Sequence, residues 1–281
     1  MRCEVQARER HGIKLYVLIA FIAFALLTGC GGKSEAGEIL ARSAEVMNNL
    51  DNYKAAVAMN LQMGVTGQTT TVRMVSSMDV FTSPFRAKTL TDVDDVSHNR
   101  TYKIDGYVIQ DVGNIVLYMK MGNERDNEWV KDTRAFSEDL LSAYSPASYS
   151  QLFHDELKKA EITASETIGD IDCWKIEGLL APTAVIEILK HTNGSQSLAA
   201  PFTEETLSGA KDIPVSIWIA QKDHHQIRAD LDVTEAMAPE LNHLGVNLHL
   251  LAFSIATSDF GNAENFTFPE ELKDAPEERL Y

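Results

Sequence analysis

Segments in which every second residue is apolar recur along most of this chain, and they restrict its fold more than any other feature. The pattern is clear at 57–63 and at 117–121, where Val, Met or Leu alternates with smaller or more polar residues. Turn-forming residues such as Gly113-Asn114 separate the segments. Because side chains alternate between the two faces of a strand, this period predicts antiparallel strands with one apolar face.

Twelve short strands are predicted in this way, and the regular turns between them are typical of an antiparallel meander. The Asp105-Gly106 pair predicts the tight turn of a hairpin, because Asp-Gly favours the positive φ angles that such turns need. The predicted strands span 57–63, 72–80, 85–93, 100–104, 107–110, 117–121, 129–131, 160–168, 173–179, 215–219, 227–233 and 248–258.

Apolar residues at spacings of three and four predict helices elsewhere in the chain. One helix is expected at 35–50, two short helices at 136–158 with a break at Pro146, and another at 183–191. Residues 192–212 are expected to form a long polar loop. A sheet with one apolar face needs a layer that covers it, and these helices are available for that purpose.

The first 29 residues have the features of a secretory signal. Basic residues come first, an uninterrupted apolar run follows from Leu15 to Leu27, and the small residues Thr28 and Gly29 precede Cys30. The run is shorter than the roughly 20 residues that a membrane-spanning helix needs. We therefore predict a signal peptide at 1–29, a tether at 30–36, a single domain at 37–273 and a frayed acidic tail at 274–281.

The end of this segment, Leu27-Thr28-Gly29-Cys30, resembles the lipobox of bacterial lipoproteins. The resemblance implies that a diacylglyceryl group is attached to the Cys30 sulfur and that the chain is cleaved just before this residue. It also implies that the mature protein is anchored to the outer face of the bacterial cytoplasmic membrane. An ordinary signal peptide, or an uncleaved anchor with a chance cysteine, is the alternative.

Charge and cysteine content limit the possible partners. The whole chain has a net charge of −16. The predicted signal contributes +2, so the mature protein carries −18. Such an acidic surface argues against nucleic-acid binding and against attachment to anionic lipids by charge, which leaves the covalent lipid as the link to the membrane. Cys173 is the one cysteine outside the signal and the lipobox, so no internal disulfide is expected. Cys173 is either a buried small apolar residue or a reactive thiol.

Sequence patterns of common catalytic and metal sites are missing. The chain contains no HExxH, no glycine-rich phosphate loop and no GxSxG. The adjacent pair His224-His225 lies in a predicted turn, and neighbouring residues of a strand point to opposite faces. The acidic cluster at 92–95 lacks the glycine and distal Glu of a calcium-binding loop. We expect no enzyme activity, no metal and no cofactor.

The order of the predicted elements, together with a few short motifs, resembles a known family. The motifs are the hairpin formed by 214–219 and 226–231, Ser258-Asp259-Phe260-Gly261, and Phe268-Pro269-Glu270-Glu271. This layout resembles the LppX/LprG-type lipoproteins and the related LolA-like carriers. The resemblance implies an α+β fold in which a strongly curved antiparallel sheet, an incomplete barrel, has helices packed on its concave face. It also implies that acyl chains are held between sheet and helices.

The resemblance and the methionine content together suggest a function. We expect an extracytoplasmic lipoprotein that binds or carries a lipid or another apolar ligand between sheet and helices. The alternative is a tethered protein-interaction or sensor module of the cell envelope without an internal ligand. Methionine adapts its shape to varied apolar chains, although the same residues could fill an ordinary core. The predicted cavity lining is Val57, Met59, Leu61, Met63, Met74, Met78, Leu117, Met119, Met121, Ile217, Ile219 and Leu231.

Overall fold

The structure is a computed structural model that describes residues 34–65, 67–122, 128–136, 148–184, 186, 207, 209–243 and 245–278. Glu35 and the described residues after it belong to one compact unit. Among the described residues, the α-helices are α1 (Glu35–Asn48), α2 (Ser148–Glu156) and α3 (Thr234–His243). The strands are β1 (Asn52–Val65), β2 (Gln68–Thr82), β3 (Phe85–Asp95), β4 (Arg100–Asp111), β5 (Asn114–Gly122), β6 (Trp129–Ala135), β7 (Lys158–Ile168), β8 (Ile171–Leu180), β9 (Ile213–Ala220), β10 (Gln226–Asp232) and β11 (Val246–Ser258).

All eleven strands belong to one sheet with the order β6-β5-β4-β3-β2-β1-β11-β10-β9-β8-β7. Every neighbouring pair is antiparallel. Because β6 and β7 lie at opposite ends of this order and do not pair, the sheet is not closed into a barrel. The predicted α+β class, a curved antiparallel sheet with helices on one face, is confirmed.

The helices and the sheet enclose two apolar clusters. The larger, which we call the main core, joins the three helices to β1 and to β8–β11, and Phe153 of α2 lies in it with no exposed surface. The smaller, which we call the second core, forms where Met47 at the end of α1 packs on Tyr53, Val80 and Phe85. Burial of Ala36, Ile39, Leu40, Ser43, Ala44 and Met47 at helical spacing explains how one short helix reaches both clusters.

The prediction of a hairpin at Asp105-Gly106 is wrong, because β4 runs without interruption from Arg100 to Asp111. Gly106 serves a different purpose in this strand. A Cβ atom at this position would collide with the hydroxyl oxygen of Thr89 on the neighbouring strand β3. The glycine therefore allows close approach of a neighbour within a sheet rather than a turn. The real turn follows at Gly113, where φ is +76°.

Helix α3 lies between β10 and β11, where the sequence analysis predicted no helix. Thr234 begins this helix, and its backbone N–H donates a hydrogen bond to Asp232 Oδ1 over 3.0 Å. Ala236 and Met237 are buried in the main core. The helix is only ten residues long and contains Pro239, so its apolar periodicity is too short to be distinguished from a loop.

Other predictions fall partly outside the described residues. The second of the two helices expected at 136–158 is confirmed as α2, whereas the first lies largely in the undescribed segment 137–147. At 183–191 the structure describes only the first turn, with a hydrogen bond from Ile186 N–H to the Thr183 carbonyl over 3.1 Å. The segment 1–29, Cys30 and most of the 192–212 loop are also outside. None of the helices in the described part has the length and apolar character needed to cross a membrane.

The beginning of the acidic tail is attached to the sheet rather than frayed. The N–H of Lys131 in β6 donates to the Pro276 carbonyl over 2.9 Å, and the N–H of Glu278 donates to the Lys131 carbonyl over 2.7 Å. A parallel bridge thus joins Lys131 and Glu277. Covering an edge strand in this way removes a surface on which other chains could pair.

Candidate ligand-binding face

Strand register places all of the predicted lining residues on the side of the sheet that faces the helices. Residues directly opposite each other on antiparallel strands share a face. Met59 is opposite Met74, and Met119 is opposite Gly106, which is itself opposite Thr89 and, one strand further, Met78. The same reasoning through β11, β10 and β9 brings Leu231 and Ile217 to this side.

Five of the twelve predicted residues are core residues with at most 6% of their surface exposed. Val57, Ile217, Ile219 and Leu231 lie in the main core and are at most 5% exposed. Leu117 lies in the second core and is 6% exposed. Their alternation in the sequence is the same as that of the remaining seven, so the sequence does not separate the two groups.

The other seven residues are partly exposed, and they form a continuous surface with three neighbours that the sequence analysis did not include. We call this surface the open face. It covers the second half of β1, β2 from Val72 to Met78, the end of β3, the first half of β4 and the end of β5. The second core covers the opposite ends of the same strands. The open face consists of Met59, Leu61, Met63, Val72, Met74, Met78, Val93, Ile104, Met119 and Met121.

The sequence analysis missed Val93 and Ile104 because each was considered only within its own strand. Their membership follows from register, since Val93 is opposite Met74 and Ile104 is opposite Met121. Alternation and the strand order together are enough to find both residues, because they extend the apolar face from one strand to the next.

A few hydroxyl groups interrupt the apolar surface. Ser76 lies between Met74 and Met78 on β2, and the Thr91 hydroxyl donates to the Ser76 oxygen over 2.9 Å. This bond pairs the Thr91 donor, whereas Ser76 only accepts in it and keeps its own O–H as a donor.

Among the described residues, the charged groups on this side of β1–β6 lie near strand ends or on the edge strand β6, and each lies beside a group of opposite sign. Asp95 is opposite Arg100 at the outer limit of the open face. Asp132, whose side chain is 8% exposed, makes an ion pair of 2.8 Å with Arg134 on β6. The interior of the open face therefore has no formal charge, despite the net charge of −16 on the chain.

The opposite side of the sheet carries a separate cavity of about 340 Å³. Trp129 of β6 and Lys120 of β5 form one wall, and Glu271 and Asp274 from the C-terminal segment form another. Phe266 and Phe268 hold that segment against Tyr107, with ring centroids 5.9 and 5.5 Å from the Tyr107 ring. Charged side chains make up much of the lining of this cavity, which includes none of the predicted lining residues.

Two other features from the sequence have structural explanations. Cys173 is fully buried, and burial, reinforced by the Asp172 charge, raises the pKa of its thiol, so it is a buried small apolar residue. The pair His224-His225 does turn the chain, between β9 and β10, and the two rings diverge. His224 lies against Trp174 with centroids 5.4 Å apart, whereas His225 stacks on Phe260 at 4.0 Å.

Comparisons with known proteins give the following similarities. A family model described as a family of unknown function (DUF6612) matches residues 35–168, slightly less than half of the chain. No curated protein matches the chain. The lipoprotein LppX of Mycobacterium tuberculosis is similar in structure, with 17% identity, a TM-score of 0.47, and coverage of 84% of this chain and 100% of that one.

Two further solved structures extend the comparison. LprF from Mycobacterium bovis is 14% identical with a TM-score of 0.48, and the match covers 84% of this chain and 97% of that one. A LolA superfamily protein from Nitrosomonas europaea is 10% identical with a TM-score of 0.23, over 84% of this chain and 96% of that one. The proteins with which these similarities are found thus include LppX and a LolA superfamily protein.

Proposed function

We propose that this protein binds the acyl chain of a lipid, or a ligand of similar apolar character, on the open face. The observation that carries the proposal is the incomplete covering of one apolar surface. Ten apolar side chains on five adjacent strands remain partly exposed, while the main core and the second core beside them are sealed. An apolar surface of this extent, continuous with a core, marks a site where something else is bound.

The character of the open face restricts the ligand. Each CH₂ group that moves from water onto such a surface contributes about 0.8 kcal/mol, so ten of them contribute about 8 kcal/mol before the cost of association. A charged group would have to stay at the outer limit near Asp95 and Arg100, because the interior offers it no partner. The ligand we infer is therefore a long apolar chain with its polar end directed outward.

Methionine makes this surface adaptable. Six of the ten residues are methionines, whose unbranched side chains change rotamer at little cost. We infer that the open face accepts chains of different length and branching, as a binding or carrier protein requires, and that the protein acts without catalysis.

We propose further that Cys30 carries the lipid anchor and that the mature protein is held at the outer face of the cytoplasmic membrane. The Leu27-Thr28-Gly29-Cys30 motif after an apolar run supports this. Two or more acyl chains give stable attachment, which a domain of this negative charge does not obtain from anionic lipids. The anchor would keep the open face close to its ligands.

The binding proposal is tested with a fluorescent 16-carbon fatty acid and the purified full chain. Met74→Asp places a charge in the middle of the open face, and we expect it to weaken binding at least about tenfold. Val75→Asp is the matched control: it is the next residue of β2, lies on the opposite side of the sheet and is 51% exposed. Equal affinity of the two variants, or no binding by the unaltered chain in fluorescence and native mass spectrometry, would show that the proposal is wrong.

The anchor proposal is tested separately in a bacterial host that processes lipoproteins. Cells are fed an alkyne-tagged palmitate, and we expect label on the unaltered chain and none on Cys30→Ser. The variant should also move from the membrane fraction to the soluble one. Labelling that survives Cys30→Ser would exclude Cys30 as the attachment site.

A further inference from the structure

We propose that the open face is a site of reversible methionine oxidation, and that hydroperoxides switch its apolar binding off. This inference rests on the function proposed above and adds a form of regulation to the same site. It concerns the six methionines of the open face, which are Met59, Met63, Met74, Met78, Met119 and Met121.

The distribution of methionine along the chain is the first argument. The sequence has nine methionines, of which Met1 lies outside the described residues. Met47 and Met237 are core residues with 1% and 2% of their surface exposed. The remaining six are all partly exposed, Met121 most of all at 37%, and all six are on the open face. Every partly exposed methionine among the described residues thus lies on the open face.

The chemistry distinguishes these residues from the Leu, Val and Ile beside them. A lone pair of the thioether sulfur attacks one oxygen of a hydroperoxide, the O–O bond breaks, and an S–O bond forms. The sulfur loses two electrons to the peroxide, which leaves as water or an alcohol. Reduction by a thiol-dependent sulfoxide reductase returns two electrons and two protons, and releases the oxygen as water.

Oxidation changes the property on which binding depends. A sulfoxide is polar, and an apolar ligand chain laid over it would leave its oxygen without a hydrogen-bond partner. Met59 and Met74 are directly opposite each other on β1 and β2, so both lie on one continuous stretch of the surface that an apolar chain would contact. Oxidation at either position therefore affects the same stretch of bound chain.

The same face tolerates the oxidised state, which makes the change a switch rather than damage. The six side chains are partly exposed, so water can solvate a sulfoxide in the absence of ligand. Ser76, between Met74 and Met78, offers a hydroxyl donor in addition. In contrast, a sulfoxide at Met47 or Met237 would be buried in a packed core and would destabilise the fold.

The test treats the full chain with hydrogen peroxide and measures both the oxidised positions and the binding of the fluorescent fatty acid. We expect peptide mass spectrometry to find the six open-face methionines oxidised about tenfold faster or more than Met47 and Met237. We expect affinity to fall about tenfold or more, with unchanged circular dichroism. Two methionine sulfoxide reductases, one for each epimer, with dithiothreitol as electron donor should restore binding.

A variant with all six residues changed to Leu separates this inference from the binding proposal. Leu has no thioether for peroxide to oxidise, so the ratio of this variant's affinities before and after treatment should stay near one, whatever its untreated affinity. If it does not fold, the pair Met59→Leu and Met74→Leu should reduce the loss of affinity. Failure of the untreated chain to bind would overturn both proposals. Binding that survives full oxidation, or that peroxide weakens equally in the Leu variant, would overturn this one alone.

Discussion

Strands β8–β11, which we call the covered half of the sheet, and strands β1–β5, which we call the open half, have the same alternating pattern. They differ in what lies over them. In β8–β10 the helix-facing residues Ile176, Ile217 and Leu231 are at most 3% exposed, because all three helices contribute to the main core. In β1 and β2, Met59 and Met74 occupy equivalent positions and remain partly exposed. Alternation therefore determines which side of the strand is apolar, and the position of the helices determines which part of that side is core.

The largest expected effect concerns α2, which packs on the covered half. Phe153 of α2 is fully buried in the main core. We expect Phe153→Ala to reduce the free energy of unfolding by about 3–5 kcal/mol, since it removes a large side chain and leaves a cavity. Urea unfolding followed by circular dichroism measures this. A loss below about 1 kcal/mol would show that the two halves of the sheet are equally open.

A matched pair of truncations compares the halves directly. Ile217→Ala in β9 removes a residue with no exposed surface, and we expect a loss of about 2–5 kcal/mol in unfolding free energy. Met119→Ala in β5 removes a partly exposed residue, so about 1 kcal/mol or less is expected. Binding of the fatty-acid probe should respond in the opposite order, with the larger loss for Met119→Ala. Similar stability losses for the two variants would contradict the distinction.

Sequence reasoning predicted the sheet well because a period of two is a direct consequence of strand geometry. For the same reason, all twelve predicted lining residues share the side of the sheet that faces the helices. It did not separate Ile217 from Met119, because exposure depends on helices that are distant in the sequence. It also mistook Gly106 for a turn residue, since the close approach of Thr89 becomes visible only when β3 lies beside β4.

Gly106 gives a prediction within the open half. Gly106→Ala would press its Cβ against the Thr89 hydroxyl, and we expect a loss of about 1–2 kcal/mol in unfolding free energy. The double variant with Thr89→Ala should recover most of this loss, because the hydroxyl that causes the collision is gone. Thermal unfolding of the two single variants and the double variant measures the coupling. Simple additivity of the two changes would mean that the glycine is required for another reason, such as backbone conformation.

The smallest effect is a pH dependence in the covered half, where His224 follows β9. Burial, and then the positive charge of Arg42 on α1, lower the pKa of His224 below its usual 6.5, and Asp223 opposes the shift only in part. The unfolded chain therefore takes up a proton at higher pH than the folded chain. The neutral His224 ring makes its full contribution to stability at pH values above the pKa of His224 in the unfolded chain. This contribution is lost as the pH falls from there towards the pKa of His224 in the folded chain.

His224→Asn should remove this pH dependence and leave the turn intact, because asparagine tolerates the φ of +64° found at this position. The loss of contact with Trp174 is expected to lower the unfolding free energy by a constant amount at every pH. Urea unfolding of both proteins between about pH 7.5 and 5 measures the two contributions. The unaltered chain should lose more stability than the variant over that interval. Parallel curves would mean that His224 is as accessible to protons in the folded chain as in the unfolded one, and that this end of the covered half is open as well.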